Sequence, residues 1–132
     1  MLPKIRIVSL QNQKQFDYIN KSGIKLHSPD FIFVSASILP PQIIAPKDLI
    51  ITAFGMKVSR KFSKKSVLRN KAKRRIRHLV AMLVKDSDIN TGNKSLIIIP
   101  KTQFNKIKFA KLYADLKRLF VSVLAKNNQR SY

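Results

Sequence analysis

Apolar residues recur at steps of three and four in three segments of the chain, and this period predicts three amphipathic helices. The first segment is 12–22, where Asn12 is placed to cap the helix and Gly23 to end it. The second segment is 65–85 and the third is 106–126. On a helical wheel the apolar residues of the second helix share one arc of about 120°, and its cations lie opposite that arc or at its margins. Each helix therefore has one side to bury against a partner.

Three other segments have the β-branched and aromatic composition of strands. Segments 29–39 and 49–59 are separated by the proline-rich stretch 40–48, which indicates a loop, and we expect the two strands to pair as an antiparallel hairpin. Gly55 marks a possible bulge or bend that would split the second of these strands. The continuous apolar run at 94–100 is typical of a strand buried on both faces.

With segment 49–59 counted as two strands split at Gly55, the order is αβββαβα, which predicts a single α+β domain, residues 1–132, with helices packed on a small sheet. A chain of 132 residues is long enough to bury a hydrophobic core. We expect flexible ends at residues 1–8 and 126–132. The chain has no apolar run of the roughly 18 residues that a transmembrane helix needs, and it has no cysteine, which fits a cytoplasmic protein.

The charge of the chain indicates that this domain is a binding protein. Its 27 Lys and Arg residues and only six acids give a formal net charge of +21. Eleven of the cations lie between Lys57 and Arg77, a stretch without any acid. An ordinary solvated helix face mixes both signs of charge. Because the cations of this stretch repel one another, we expect an external polyanion to bind them, either nucleic acid or an anionic membrane surface. The apolar arc lacks the aromatic anchors of an interfacial helix, so we expect nucleic acid and no membrane.

Few residues of the chain suit catalysis or metal binding. The two histidines are His27 and His78, all six acids are Asp, and there are only three glycines. No His–Glu–His spacing, glycine-rich phosphate loop or nucleophile motif occurs in the sequence. We therefore expect no catalytic and no metal-binding residue in the protein itself. Asn70, within the basic stretch, has two open roles: it can hydrogen-bond a base edge or sugar hydroxyl, or order the junction of loop and helix.

The basic stretch also resembles a known signature. The segment GMKVSRKFSKKSVLRNKAKRRIRHLV, residues 55–80, is similar to the pattern of bacterial ribonuclease P protein subunits. In that pattern a strand ends in a Val-Ser-Lys-Lys type of sequence and, six or seven residues later, an Arg-Asn-Arg motif opens an apolar-faced helix that carries a Lys-Arg pair. FDYINKSG resembles the first helix of the family and KSLIIIPK its last strand. The resemblance covers residues 5–125, about the whole chain.

The resemblance implies a fold similar to domain 2 of ribosomal protein S5, with an unusual left-handed βαβ crossover. It also implies that the protein pairs with a catalytic RNA, and that this RNA, with Mg²⁺ ions bound to it, removes the 5′ leader from precursor tRNA. The protein alone would then bind no cofactor. A ribosomal or other structural RNA-binding protein would have the same composition and is the main rival interpretation.

The resemblance assigns residues to two binding regions. The residues expected to bind the catalytic RNA are Arg60, Lys61, Lys64, Lys65, Arg69, Asn70, Lys71, Lys73, Arg74 and Arg77. The residues expected to form a cleft for the leader, between the first helix and the exposed face of the sheet, are Phe16, Asn20, Ile32, Val34 and Lys101. Phe16 either stacks on a base or pins the thin first helix to the core.

Two departures from the family pattern affect these regions. Lys71 replaces the third motif arginine, which keeps the charge and loses the bidentate fork. Asn20 and Val34 stand where many family members carry aromatic residues. We therefore expect leader binding to depend more on charge and less on stacking.

Overall fold

The chain forms five strands and three α-helices within the residues that the computed structural model describes, 4–86 and 92–130, the last five by their backbone alone. In chain order these elements are β1 (Lys4–Ser9), α1 (Gln13–Ser22), β2 (Ile24–His27), β3 (Phe31–Ala36), β4 (Leu49–Met56), α2 (Ser66–Lys85), β5 (Lys94–Pro100) and α3 (Phe109–Arg130), with a 3₁₀ turn at Phe104–Lys106. None of the helices in these ranges combines the length and the apolar content needed to cross a bilayer.

The strands form one mixed sheet in the order β1-β4-β5-β3-β2. β1 pairs parallel with β4, and β4 pairs parallel with β5. β5 pairs antiparallel with β3, which pairs antiparallel with β2. Because α2 connects the parallel neighbours β4 and β5, these three elements form the expected βαβ crossover, whose hand stays a prediction. The α+β class and the positions of α2 and β5 agree with the sequence-based expectation.

The expected hairpin of β3 and β4 is wrong, because β5 lies between these two strands. A strand covered on both faces needs partners for its backbone groups along both edges. β5 has such a composition, and it obtains those partners from β3 on one side and β4 on the other. β4 is also not split, since it runs without interruption from Leu49 to Met56.

The N-terminal segment is not the flexible end that the sequence suggested. Residues 4–8 belong to β1, whose register with β4 runs from Lys4 opposite Leu49 to Ser9 opposite Phe54. At the other end, α3 continues to Arg130, beyond the expected limit of its helix. Residues 1–3 and 131–132 lie outside the described residues. The short strand β2 was also absent from the prediction. With β1 and β2 added and β4 unsplit, the observed order is βαβββαβα.

The two faces of the sheet are covered very differently. On one face α2 and α3 bury a large cluster that includes Phe31 and Phe33 of β3. On the other face the single helix α1 buries a small cluster that includes Ile19 and Val34. Because α1 is short, part of this second face stays open beside it.

Local contacts fix both ends of α1 as the sequence predicted. The Asn12 side chain accepts a hydrogen bond from the backbone N–H of Gln15 at 3.0 Å, which caps the N-terminus. At the C-terminus Gly23 donates to the carbonyl of Ile19 at 2.8 Å. A Cβ atom on Gly23 would lie 2.8 Å from the carbonyl oxygens of Ile19 and Ser35, so only glycine lets the chain pass this close to β3.

Candidate nucleic-acid interface

The basic segment begins with an ordered loop between β4 and α2. Phe62 packs against the main core and anchors the middle of this loop. Two serines hold its turns: Ser59 Oγ accepts from the backbone N–H of Lys61, and Ser63 Oγ accepts from that of Lys65, each at 3.2 Å. The loop therefore presents its cations from a defined backbone. The cations that it exposes are Arg60, Lys61, Lys64 and Lys65.

The outward side of α2 continues this basic surface. Lys71, Arg74 and Arg77 are exposed, and Lys73 is half-buried beside them. The ion pairs found among the described residues join Lys111 to Asp30, Lys117 to Asp86 and Arg118 to Asp115, so none of them neutralises a cation between Lys57 and Arg77. The first turn of α2 also lacks acids, so the positive end of the helix dipole adds to the field of these side chains. The surface is suited to binding a polyanion.

Two arginines of α2 are occupied within the protein. Arg69 Nη1 donates to the carbonyls of Ser63 and Lys64, each at 3.0 Å, and thereby ties the basic loop to the helix. Arg75 donates to the carbonyls of Phe104, at 2.7 Å, and Ile107, and its guanidinium lies over the Phe104 ring. Burial lowers the pKa of Arg75 from its ordinary value. Both side chains have structural contacts, although only Arg69 belongs to the expected RNA-binding set.

Asn70 does not order the junction between loop and helix. Its side chain is exposed and has no hydrogen bond to any residue in the described part of the chain, while Arg69 makes the contacts that hold the loop. Of the two roles open to Asn70, this geometry is compatible with a hydrogen bond to a base edge or sugar hydroxyl and not with ordering the junction.

A cleft of about 870 Å³ lies next to α1, above the C-terminal ends of β4 and β5. Phe16 forms one wall, and its ring lies against Gly55 so closely that a Cβ atom there would be 2.6 Å from two ring carbons. Gly55 therefore allows Phe16 to approach the sheet, rather than bending the strand. The ammonium of Lys57 lies 5.5 Å from the centroid of the Phe16 ring. Sequence reasoning missed Lys57 as a cleft residue, although alternation along β4 places it on the same face as Gly55.

Most of the other expected cleft residues lie at or near this cleft. Lys101 lines it, and its Nζ donates to the carbonyl of Ser28 at 2.6 Å. Ile32 is half-buried and is the register partner of Ile99, a residue of the cleft floor. Asn20 is exposed on α1, one helical turn after Phe16 and on the same side.

Val34 is the exception among the cleft residues, and its expected position on an exposed face is wrong. Its exposed fraction is 0%, because it packs with Ile19 beneath α1. The helix covers this part of β3, so Val34 has no surface for a nucleotide. The replacement of an aromatic residue at this position therefore changes the core under α1, not a stacking surface.

Among the described residues, the interface has few groups suited to catalysis or metal binding. In residues 4–86 and 92–130 no group of three or more His, Cys, Asp or Glu side chains is placed to hold a metal ion. His78, on the basic side of α2, stacks on Phe109 with ring centroids 4.5 Å apart. Taken with the charge, this arrangement defines a basic α+β domain with two surfaces suited to a polyanion: α2 with the loop before it, and the cleft beside α1.

Comparison with known proteins identifies the family. A model of the ribonuclease P family matches residues 6–124. The ribonuclease P protein component of Rickettsia rickettsii (strain Sheila Smith) is 47% identical over 115 residues, which cover 87% of this chain and 96% of that protein. That of Rickettsia prowazekii (strain Madrid E) is 45% identical over 118 residues, 89% of this chain and 96% of the relative. The chain therefore belongs to the ribonuclease P protein family, and the rival of a ribosomal or other structural RNA-binding protein is not favoured.

Solved structures support the fold. The ribonuclease P protein of Staphylococcus aureus superimposes with a TM-score of 0.62 at 21% identity and covers 90% of this chain and 94% of its own. The Thermotoga maritima protein gives a TM-score of 0.62 at 21% identity, with 86% and 94% covered. Size and topology agree with these neighbours.

Proposed function

We propose that this chain is the non-catalytic protein subunit of a ribonuclease P endoribonuclease and acts in the cytoplasm. The loop 57–65 and α2 bind the catalytic RNA. The cleft beside α1 holds the 5′ leader of precursor tRNA, and the RNA subunit with its Mg²⁺ ions cleaves the bond that releases the leader.

One observation carries the assignment of α2 to the RNA. Lys71, Arg74 and Arg77 have no ion pair or hydrogen bond to any residue that the structure describes, while Arg69 and Arg75 are hydrogen-bonded inside the domain. Exposed arginine and lysine side chains on a rigid helix form charge-assisted hydrogen bonds with phosphate oxygens. The helix is too wide for the narrow major groove of A-form RNA, so it suits the backbone and unpaired regions of a structured RNA.

The lining of the cleft supports the assignment to the leader. The described residues that line it are lysines, amides, hydroxyls and apolar groups, with Lys57, Lys61 and Lys101 around Phe16. Such a set attracts a single strand by its phosphates and offers it the Phe16 ring for stacking. It supplies no carboxylate oxygen, the ligand that Mg²⁺ prefers in proteins, so the metal chemistry is assigned to the RNA.

Reconstitution with a ribonuclease P RNA tests the proposal. The protein should lower the Mg²⁺ concentration that the RNA needs to cleave precursor tRNA, and nuclease-free protein without RNA should leave the precursor intact. A heat-denatured sample of the same protein is the control. Failure to stimulate cleavage would contradict the assignment to the complex, and cleavage by the protein alone would contradict the assignment of catalysis to the RNA.

The cleft is tested separately by Asn20→Phe. The new ring would stand one turn from Phe16, so it should tighten binding of precursor tRNA to the reconstituted enzyme by about 1–3 kcal/mol, the range for one stacked base. Mature tRNA, which lacks the leader, should bind as before. The slope of log affinity against log salt should not change, because no phosphate contact is added.

Ser22→Phe is the matched control, since Ser22 is exposed on the other side of α1. It should alter neither titration. Equal effects of Asn20→Phe on precursor and mature tRNA, or no effect on either, would mean that this side of α1 does not face the leader.

A further inference from the structure

A second hollow, of about 500 Å³, lies between α2 and the edge strand β1 and adjoins the first cleft at Phe16 and Met56, which line both. Its apolar lining includes Ile7 of β1, Phe54 and Met56 of β4, and Val80 of α2. Ile7 is 42% exposed, which is unfavourable for a large aliphatic side chain at the open edge of a sheet. A volume of this size is within the range of small-molecule sites and admits one planar heterocycle.

The rim of the hollow belongs to the basic surface of α2. Arg77 lines one side, and Lys73 precedes it by one helical turn on the same flank. The guanidinium of Arg77 has no ion pair or hydrogen bond with any residue of 4–86 and 92–130. The opposite side carries Ser9, whose hydroxyl can donate to or accept from a polar edge. The apolar walls can pack on the faces of a base, the hydroxyl can hydrogen-bond its edge, and the guanidinium at the mouth can bind a phosphate.

We propose that this hollow receives one unpaired nucleobase of the catalytic RNA, with the adjoining phosphate held by Arg77. This inference rests on the proposed function, because it requires that α2 face that RNA. The base packs its faces against Ile7 and the β4 side chains, and Ser9 contacts its edge. α2 then binds the RNA by a base as well as by phosphates.

The chemistry of the rim favours RNA over a protein partner. A second copy of this chain, whose net charge is +21, would be repelled by the basic surface, and an unmodified peptide would bring no phosphate to Arg77. RNA-binding proteins commonly bind unpaired bases that leave the stack and insert between apolar side chains. The hollow is also continuous with the proposed RNA surface, because Arg77 is part of both.

The absence of cysteine allows a direct test. Ile7→Cys creates a unique thiol, to which an azidophenacyl photo-cross-linker is attached before the protein is bound to ribonuclease P RNA and irradiated. Ile38→Cys is the matched control, since Ile38 is 41% exposed and its carbonyl accepts from Ser95, on the face that α1 covers. Primer extension on the cross-linked RNA should stop at one unpaired nucleotide with the position 7 probe and not with the position 38 probe.

A binding titration gives the second readout. Ile7→Ser should weaken binding to the RNA about five-fold or more, with an unchanged salt slope, because it removes apolar contact and no phosphate contact. Ile38→Ser should bind as wild type, and both variants should unfold at similar urea concentrations.

Three results would overturn the inference: cross-links from position 7 that map only to paired segments, cross-links no stronger than those from position 38, or cross-links to a second protein copy. If the wild-type protein fails to bind the RNA at all, the proposed function has failed. If the wild type binds normally but the position 7 probe finds no base, only the hollow has been misassigned.

Discussion

The basic residues of α2 fall into two groups that differ in what their charged ends contact. Arg69 and Arg75 donate to main-chain carbonyls of the protein. Lys71, Arg74 and Arg77 are exposed and have no hydrogen bond or ion pair to any residue in the described ranges. Both groups lie within one 20-residue helix and share one charge sign.

The difference shows that the position of a cation around the helix, rather than its charge, decides whether it is hydrogen-bonded within the domain or exposed to solvent. Arg69 lies within the apolar arc and Arg75 at its margin, so their long side chains reach the neighbouring loop and the 3₁₀ turn. The other three lie away from the arc, where only an external partner can neutralise them. Removing a cation from the first group should therefore cost stability, and removing one from the second should cost RNA affinity.

The largest expected effect belongs to the outward group. The triple variant Lys71→Ala, Arg74→Ala, Arg77→Ala should lose about 3–6 kcal/mol of RNA-binding free energy. That total assumes about 1–2 kcal/mol per charge-assisted contact, the low part of the range because these groups are exposed to water. The salt slope should become less steep by about 0.7–0.9 for each lost phosphate contact. Titrations at several salt concentrations measure both quantities.

The free energy of unfolding of this triple variant should stay within about 0.5 kcal/mol of wild type, because these side chains make no hydrogen bond or ion pair with any described residue. Urea denaturation provides that control. A loss of stability as large as the loss of affinity would remove the distinction between the two groups.

Sequence patterns located α2 and β5 because their signals are local. A 3.6-residue apolar period and a continuous apolar run are visible without knowledge of neighbours. The patterns failed where the answer depends on partners. β1 and β2 are edge strands that mix polar and apolar residues, and the order of the strands is not encoded in any one of them. Sequence also does not show that Arg75 is hydrogen-bonded within the domain and Arg74 is not, because this depends on which carbonyls lie within reach after folding.

In the cleft, too, the sequence does not show which elements cover a residue after folding. Phe16 and Lys101 were assigned through the resemblance to the family and do line the cleft. The same resemblance predicts Val34 on an open face of its strand. In β3 both sides are covered, and the helix above Val34 decides its burial. Lys57 was missed because its proximity to Phe16 depends on how α1 crosses the sheet.

A second effect, on stability, tests the inward group. Arg75→Ala should lower the free energy of unfolding by about 2–3 kcal/mol, because it removes two charge-assisted hydrogen bonds and leaves the carbonyls of Phe104 and Ile107 without that donor. Urea denaturation measures the loss. RNA affinity, measured under conditions where the variant is fully folded, should remain that of wild type.

Two variants sharpen this test. Arg75→Lys keeps the charge but cannot span both carbonyls with a planar fork, so it should recover only part of the lost stability. Arg74→Ala removes a neighbouring arginine that has no hydrogen bond or ion pair with any described residue, and it should leave stability unchanged. If Arg75→Ala proved as stable as Arg74→Ala, the two hydrogen bonds would not contribute to the fold in solution.

The smallest effect concerns Arg69, which belongs to the motif that the family shares but is bonded within this protein. Arg69→Ala frees the loop carbonyls of Ser63 and Lys64, so the loop should lose order while its lysines keep their charge. We expect about 1 kcal/mol of loss in the free energy of unfolding and a similar loss in RNA affinity, since the loop must be ordered again on binding.

The salt dependence of binding separates the two ways in which Arg69 can act. If Arg69 works by ordering the loop, its removal leaves every phosphate contact available, and the salt slope of the Arg69→Ala variant should equal that of wild type. A direct phosphate contact would instead make the slope less steep by about 0.7–0.9. Arg74→Ala, titrated in parallel, supplies the reference for a lost direct contact. A matching change of slope in both variants would move Arg69 into the outward group and show that its loop contacts are exchanged for RNA contacts on binding.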